Sequence, residues 1–550
     1  MNLLQDPWMP VRDAQGRREW ITPDRLSEPR WLAFDADRPD FNGALAQFAI
    51  GLLQTTTPVA DSIAWRQLFR TAPESETLAQ WFAPVALAFE LDGEGHRFMQ
   101  DEDLGSAGVA INPIGALLIE SPGEQTLKNN ADHFVKRNQI DGMCAACAAT
   151  ALFVLQTNAP SGGAGHRTGL RGGGPLSTLV MAAEGGTLWQ HLWLNVRDRK
   201  GFFGADGDFQ LEVNQRAFPW LGPIAGLQAL KGEISMAQVH PVHHFWAMPR
   251  RIRLAFENSG DEGAVHCDLC ARPAQMPVRR YATKNYGLNY KGEWNHPLSP
   301  YYQTKEGWLP LHPQPDGLGY RHWLAWSLGA SSERRTARVA PVVARAVDQL
   351  RRQTGPGLRL WAFGFDMDNM KARCWYESSL PLYGLPECDA EAVINIQAEV
   401  GRWLAAAELG NQFLRGAIKD AWFGHDARGD FAHVDAAFWS ATEPHFYRYL
   451  QALIEAARNG TEPDPLPTRE AWHRTLSETA RRLFDEVFVG TGPVERQNPR
   501  RVALAYRQLK RNLYGPKFKL ALGLPVPPPA EKSKRAGAGK DAGTFPKEPA

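Results

Sequence analysis

The stretch "GMCAACAA" at residues 142–149 is matched by "HCDLC" at residues 266–270, and together they hold four of the six cysteines. These four are Cys144, Cys147, Cys267 and Cys270. Two Cys-x-x-Cys turns can bring four thiolates to one tetrahedral ion and leave no open position for a substrate. The spacing therefore predicts one structural zinc ion per chain, with a redox pair or separate buried thiols as the alternatives.

The bulk composition is that of an ordinary globular protein. A chain of 550 residues with 43% hydrophobic content can bury a large core, which predicts two or more domains. Lys and Arg number 61 against 60 acidic residues, so any nucleic-acid surface must be a local patch. The N-terminus has no signal-peptide pattern and no window has the ~18 apolar residues of a membrane span. We therefore expect a cytoplasmic protein with reduced thiols and no membrane contact.

The patterning predicts an α+β fold in two parts. Residues 1–380 mix helical stretches with strand-like runs such as "VALAFEL" (85–91) and "LRLWAFGF" (358–365), which indicates a large, loop-rich α/β domain containing the zinc knot. Residues 386–522 are predicted to form a C-terminal four-helix bundle, and residues 523–550 a disordered tail. The four helices are expected in "DAEAVINIQAEVGRWLAAAELGNQFL", from Thr442, from Thr468, and in "PRRVALAYRQLKRNLYG".

Three segments near the cysteine pairs have a composition suited to nucleic acid. The polar, basic segment 127–142 is interrupted by Phe134, and the glycine-rich segment after the first pair contains His166, Arg167 and Arg171. The segment 276–297 alternates basic residues with tyrosine and tryptophan. A solvated loop, an ordinary glycine-rich turn and a strand with one packed face would produce the same patterns, so composition alone leaves both interpretations open.

A catalytic centre is only weakly indicated. Asp366 and Asp368 lie two apart on a predicted strand, where they could share a face and hold Mg²⁺ for a metal-dependent nuclease. The histidines of "HPVHHFWAMP" (240–249) have apolar neighbours and no nearby carboxylate, which predicts packed or surface histidines. Cys374 and Cys388 have no paired spacing and are expected to be packing residues. The absence of catalytic motifs favours a protein that is not an enzyme.

Taken in order, these stretches resemble one family. "MNLLQDPWMPVR", "CAACAATALF", "NAPSGGAG", "GLRGGGP", "FWAMP", "HCDLC", "YATKNYG", "WNHPLSPYY" and "HFYRYLQALI" are similar to the large, CasA-type subunit of type I-E Cascade, the CRISPR RNA-guided surveillance complex. The likeness runs from residue 1 to about residue 520. A start motif, both cysteine pairs and the glycine segments in one order are more specific than any single motif.

The resemblance implies a set of DNA-contacting residues. The mobile first loop of the family corresponds to Phe134 and Lys136, and its lysine finger to Lys284. The family's glycine loop falls on Ser161, Gly162, Gly163 and Ala164, with serine and alanine replacing its outer glycines. The wedge that separates the DNA strands falls on Asp368, Asn369 and Met370.

The resemblance also implies a function. The family's large subunit has no catalytic centre, recognises the protospacer-adjacent motif of double-stranded target DNA, starts strand separation and R-loop formation, and helps recruit the helicase-nuclease. The expected partners are the other Cascade subunits, CRISPR RNA, target DNA and the helicase-nuclease, in antiviral defence. A nuclease using Asp366 and Asp368, or a zinc-stabilised scaffold without DNA contact, are the alternatives.

Overall fold

The computed structural model of the chain describes residues 1–105, 107–133, 135–162, 165–182, 185–204, 210–224, 233–258, 265–315, 317–331, 336–350, 357–383, 390–423, 429–490 and 498–526. Its strands are β1 (Met9–Asp13), β2 (Arg18–Ile21), β3 (Trp31–Phe34), β4 (Ala110–Pro113), β5 (Ser177–Met181), β6 (Glu233–Ile234), β7 (Arg251–Phe256), β8 (Val265–His266), β9 (Pro273–Ala274), β10 (Val278–Lys284), β11 (Asn289–Tyr290), β12 (Tyr301–Thr304), β13 (Gly307–Pro310), β14 (Ala330–Ser331), β15 (Thr336–Arg338), β16 (Leu358–Asp368) and β17 (Lys371–Leu382).

Its helices are α1 (Pro39–Thr56), α2 (Ser62–Arg70), α3 (Ser75–Phe82), α4 (Glu124–Lys128), α5 (Ala145–Asn158), α6 (Leu188–Trp193), α7 (Arg199–Phe203), α8 (Trp323–Ser327), α9 (Pro341–Leu350), α10 (Ala390–Trp422), α11 (Ala432–Arg458), α12 (Leu466–Arg482), α13 (Pro499–Leu513) and α14 (Pro516–Ala521). Strands come mainly before residue 383 and long helices after residue 389, which confirms the α+β class. No helix among the described residues is both long and apolar enough to cross a membrane.

The chain divides into two compact units. The first comprises Met1–Leu404 with Arg428–Pro463, and the second Ala405–Ala427 with Asp464–Ala550. The division passes through α10, whereas the boundaries 1–380, 386–522 and 523–550 stay predictions from the sequence. Within the predicted tail, residues 527–550 lie outside the described part of the chain.

The core of the first unit is built on α1, which is buried over most of its length. Phe48 of α1 makes edge-to-face contacts, with ring centroids 5.0–5.7 Å apart, to Trp8, Phe89, Phe98, Phe153 and Trp246. These rings come from segments that are up to 238 residues apart in sequence. Aromatic packing of this kind holds α1 and α5 together under the loops described below.

Two antiparallel sheets position the candidate site. In the first, β10 lies between β4 and β7, and Lys284 at its end pairs with Arg251. In the second, β16 lies between β17, with which it forms a long hairpin, and β5. The strand predicted from "LRLWAFGF" is therefore confirmed as β16.

The prediction of a strand at "VALAFEL" is wrong. Ala83–Phe89 form a 3-10 helix that includes Pro84. Val85, Ala88 and Phe89 are buried, while Leu87 is 68% exposed. A strand would have turned Val85, Leu87 and Phe89 to one face, so the three-residue spacing of the buried side chains explains the helix.

The helices predicted for the C-terminal region are present, with one error of position. The second begins at Ala432 rather than at Thr442, so Pro444 lies inside it. Its buried residues recur every four positions on both sides of the proline, at Val434, Phe438, Thr442, Phe446, Leu450 and Ile454. This continuous buried stripe offsets the hydrogen bond that a proline removes from a helix interior.

Candidate functional site

The four paired cysteines lie together in the first unit. One ligand atom from each of Cys144, Cys147, Cys267 and Cys270 lies within 4.8 Å of the others. Among the described residues, no other group of three or more His, Cys, Asp or Glu is arranged to hold a metal ion. Tertiary structure has therefore joined the two Cys-x-x-Cys turns as the spacing predicted.

Each turn belongs to an element that fixes its sulfurs. Cys144 is the N-cap of α5, where its Sγ accepts the backbone N–H of Cys147 at 3.5 Å. The second pair lies in the short hairpin of β8 and β9, where the N–H of Ala271 donates to the carbonyl of Cys267 at 2.9 Å. Ala271 has a left-handed φ of 57°, which turns the backbone back after Cys270.

The sulfur geometry fits a four-thiolate site. Zn–S bonds of about 2.3 Å in a tetrahedron place neighbouring sulfurs about 3.8 Å apart. Cys144 Sγ and Cys270 Sγ lie 3.7 Å apart. Hydrogen bonding to the Cys144 thiol, and then to Cys147, lowers the pKa of both Cys267 and Cys270. The cluster can therefore hold a metal ion, and its all-sulfur ligands are those that a closed zinc site uses.

The cysteine hairpin is hydrogen-bonded to the end of the segment 127–142. Asp268 Oδ2 accepts the backbone N–H of Asp141 at 2.7 Å and of Gly142 at 2.8 Å. The next residue, Met143, exchanges two backbone hydrogen bonds with Val278, the first residue of β10. The cysteine cluster thus lies where the 127–142 segment joins the strand that ends at Lys284.

Within that segment, Phe134 lies outside the described residues, and Lys136 is exposed. Arg137 donates to Asp132 at 2.7 and 2.9 Å and to the carbonyl of Leu127 at 3.2 Å. The hydrogen bond from Arg137 lowers the pKa of Asp132. These bonds close the segment into a compact turn in which Lys136 faces solvent.

The glycine-rich segment contacts the chain just after Lys284. Ser161 and Gly162 are exposed, and Gly163 and Ala164 lie outside the described residues. The carbonyl of Gly165 accepts the backbone N–H of Tyr286 at 2.8 Å. Gly165 has a left-handed φ of 80°, and a Cβ there would lie 2.7 Å from the Cβ of Asn285. Only glycine fits this conformation at so close an approach.

The other end of the same segment packs on the β16 strand. A Cβ on Gly174 would lie 2.6 Å from the carbonyl oxygen of Phe365, and one on Gly364 would lie 2.6 Å from the carbonyl oxygen of Pro175. Glycine is thus required on both sides of this contact. The glycine-rich segment consequently joins the end of β10 to the strand that leads to Asp368.

Arg171 is a structural residue rather than a surface cation. It is only 4% exposed and donates to Ser177 Oγ at 3.0 Å and to Ser299 Oγ at 2.9 Å. Burial lowers the pKa of Arg171 to about 10. The sequence grouped it with His166 and Arg167, because composition does not distinguish a buried guanidinium from an exposed one.

Lys284 ends β10 and is half-buried. Its Nζ donates to the carbonyl of Leu104 at 2.9 Å. An ammonium has three N–H donors, so two remain for another acceptor. The side chain is therefore held at the strand end with donor capacity to spare.

The predicted wedge residues form the tip of the β16–β17 hairpin. Asp368 pairs with Lys371 across the turn, and Asn369 has a left-handed φ of 54°. All three wedge residues are exposed, and Met370 is 54% exposed. A two-residue turn at the end of a long hairpin is a rigid projection, as a wedge requires.

Asp366 and Asp368 do not form a metal site. Asp366 is 2% exposed and accepts two hydrogen bonds from Arg373, at 2.6 and 2.9 Å. The strand register shifts between Asp366 and Met367, and Asp368 is exposed at the turn. The bulge and the ion pair thus separate the two carboxylates that the sequence placed on one face.

Arg250 is a site residue that sequence reasoning missed. Its guanidinium donates to the carbonyl of Pro160 and to His166 Nδ1, and these two residues flank the glycine loop. Burial lowers the pKa of Arg250 to about 10. Burial, followed by the charge of Arg250, also lowers the pKa of His166, so the ring stays neutral and can accept. No local pattern in "AMPRRIR" distinguishes this arginine from its neighbour.

The remaining cysteines differ from each other. Cys374 is exposed on β17, where the preceding Arg373 is exposed as well, so the prediction that it is a packing residue is wrong. Cys388 lies outside the described residues. The histidines His243 and His244 are buried, as predicted from their apolar neighbours.

Comparison with known proteins finds the same family by sequence and by structure. A family model described as CRISPR-associated protein Cse1 matches residues 2–483. Thermobifida fusca Cse1 has a similar structure, with a TM-score of 0.67 at 15% identity over 95% of this chain and 98% of that chain. CasA from Thermus thermophilus gives 0.63 at 18% identity over 93% and 99% of the two chains. A chain of a CRISPR RNA-guided surveillance complex gives 0.63 at 18% identity over 94% and 99%. At these identities the structural matches show a shared fold.

Proposed function

The chain belongs to the CRISPR-associated Cse1 family, and we propose that it is the non-catalytic large subunit of a type I-E Cascade complex. In this role it recognises the protospacer-adjacent motif of double-stranded target DNA and begins strand separation. A similar fold occurs in a chain of a CRISPR RNA-guided surveillance complex, which supports assembly with other Cascade subunits and CRISPR RNA. Recruitment of the helicase-nuclease belongs to the same proposal.

The observation that carries the proposal is the position of the glycine-rich segment. One end of it is bonded to Tyr286, two residues after Lys284, and the other end packs on Phe365, three residues before Asp368. One stretch of backbone therefore connects the proposed lysine finger to the proposed wedge. These two contacts support a single recognition surface that lies next to the point of strand opening.

The chemistry of this surface suits the minor groove. Exposed Ser161 and Gly162 have little side-chain bulk, and Lys284 has spare donors. Minor-groove readout separates A·T from G·C but distinguishes individual pairs poorly. A lysine and small residues acting there should tolerate several related motifs. Insertion of the hairpin tip costs a few kcal/mol of unstacking, which pairing of the guide RNA with the released strand offsets.

The zinc ion in this proposal is structural. Four thiolates would fill its coordination and leave no open position for substrate. When bound, it would hold the hairpin of β8 and β9 against α5, and through Asp268 it would fix the end of the first loop. Phe134, Lys136, Ser161 to Ala164 and the wedge are proposed to make the DNA contacts.

The nuclease alternative is not favoured by the geometry. Asp366 is already neutralised by Arg373, and it lies on the buried side of a register shift from Asp368. A two-metal hydrolase needs convergent carboxylates around an open site. The scaffold alternative is left to experiment, because it differs from the proposal only in DNA contact.

The decisive test uses the guide-loaded complex prepared with and without this subunit. Gel-shift titrations of a library of target duplexes that differ only in the adjacent motif would measure affinity for each motif. We expect motif-dependent binding only when the subunit is present. Equal binding of all motifs with and without it would refute recognition and leave a scaffold.

A further inference from the structure

Arg167 is a cation without an anionic partner. Among the described residues, its guanidinium has no hydrogen-bond acceptor and no carboxylate within ion-pair distance, and its Nε is buried without a partner. The guanidinium lies against the ring of Tyr286, whose centroid is 5.9 Å from Cζ. An arginine whose charge is held in place but not neutralised is suited to an incoming anion.

The neighbouring arginines do not share this property. Arg137 is bonded to Asp132, and Arg280 to Glu257. Arg171 and Arg250 donate to neutral groups in the interior. Of these arginines, Arg167 alone has neither an acid nor an acceptor in the described part of the chain. Its unused hydrogen-bonding capacity is therefore a local feature and not a property of the whole surface.

Tyr286 explains how Arg167 is held. Tyr286 is 58% exposed and has a left-handed φ of 65°, a conformation that non-glycine residues seldom adopt. Its backbone N–H donates to Gly165, two residues before Arg167. The same contact that joins the glycine-rich segment to the end of β10 therefore places an aromatic ring under the guanidinium. Arg167 thus packs on a residue that lies two positions after Lys284 in the chain.

We propose that Arg167 binds a backbone phosphate of the target DNA, with the ring of Tyr286 as its support. This inference rests on the proposed function, because it requires DNA at the glycine loop. The planar guanidinium presents paired N–H donors that match two phosphate oxygens. A phosphate contact carries no base information, so Arg167 adds affinity and register while Lys284 reads the groove.

The test is the salt dependence of target binding by the complete guide-loaded complex containing R167Q. Loss of one phosphate contact should reduce the slope of log K against log salt by about 0.9. The ratio of wild-type to variant binding constants should then grow about 3.5-fold when the salt concentration falls from 200 to 50 mM. The loss should be the same factor for strong and weak motifs. R167K keeps the charge and should keep most of the slope.

The matched control is R66Q, which removes the same charge from an exposed position of α2. It should leave the slope and the affinity unchanged. An R167Q complex with wild-type slope and affinity would overturn the phosphate contact, and so would an altered motif preference, which indicates a base contact. If R167Q lowers the thermal midpoint of the chain, R167K becomes the deciding variant. The phosphate contact then requires that the slope of log K against log salt for the R167K complex stay near that of wild type. Motif-independent binding by the wild-type complex would instead refute the proposed function.

Discussion

Replacing Lys284 with methionine tests the centre of the proposed surface. Methionine keeps most of the apolar stem and removes the ammonium, so packing along β10 is largely preserved. Lys284 Nζ donates to Leu104 at 2.9 Å, and Leu104 is only 8% exposed. Losing this bond leaves a carbonyl unsatisfied and should lower the free energy of unfolding by about 1 kcal/mol.

The effect on DNA binding should be larger than the effect on stability. A contact to a base edge contributes about 1–3 kcal/mol, which corresponds to roughly 5- to 150-fold in affinity. The loss should be greatest for the preferred motif and smallest for poor ones, so the range of affinities across the motif library should narrow. A phosphate contact would instead reduce all affinities equally.

The assay combines urea unfolding of the isolated chain with gel-shift titration of the assembled complex. Lys305→Met removes the same charge from the exposed turn between β12 and β13 and should change neither measurement. Undiminished affinity with an unchanged motif preference for Lys284→Met would refute the assignment. A loss of stability without any change in binding would show that Lys284 serves only its bond to Leu104.

Three further predictions concern the metal, the ion pair and pH. Cys267→Ser should reduce the zinc content from about one per chain to near zero by elemental analysis and weaken motif binding indirectly; a well-folded, metal-free native chain would contradict the zinc knot. Asp366→Asn should destabilise the chain by about 1–2 kcal/mol in urea unfolding, since Arg373 is partly exposed, and purified protein with Mg²⁺ should show no DNA cleavage; cleavage abolished by this substitution would support a nuclease. Burial lowers the pKa of His244 to about 4. Its neutral form therefore stabilises the fold above pH 6.5, and about 3 kcal/mol is lost as the pH falls from 6.5 to 4. Unfolding of His244→Asn across this range should show a smaller pH dependence than wild type, and an equal dependence would contradict the assignment to His244.

The sequence by itself determined the features that depend on local spacing. Two Cys-x-x-Cys turns specified a four-sulfur cluster, because two such pairs of reduced thiols in one chain most often bind a metal ion together. Apolar residues at three- and four-residue intervals specified α12, α13 and the start of α10, which continues eight residues beyond the predicted segment, from Leu414 to Trp422. Local rules failed at Pro444 and at Ala83–Phe89, where burial of distant neighbours decided the conformation.

The tertiary structure decided which of the candidate residues are available for binding. Arg167 and Arg171 are four residues apart in one glycine-rich stretch. Arg171 is buried and donates hydrogen bonds to Ser177 and Ser299, while Arg167 lies against the ring of Tyr286. Asp366 and Asp368 were equivalent in sequence until a bulge and Arg373 separated them. A residue's type and spacing are local properties, but its exposure and its partners depend on how the whole chain packs. Arg171 with Ser299 and Arg167 with Tyr286 meet across more than a hundred residues, and only the folded chain brings them together.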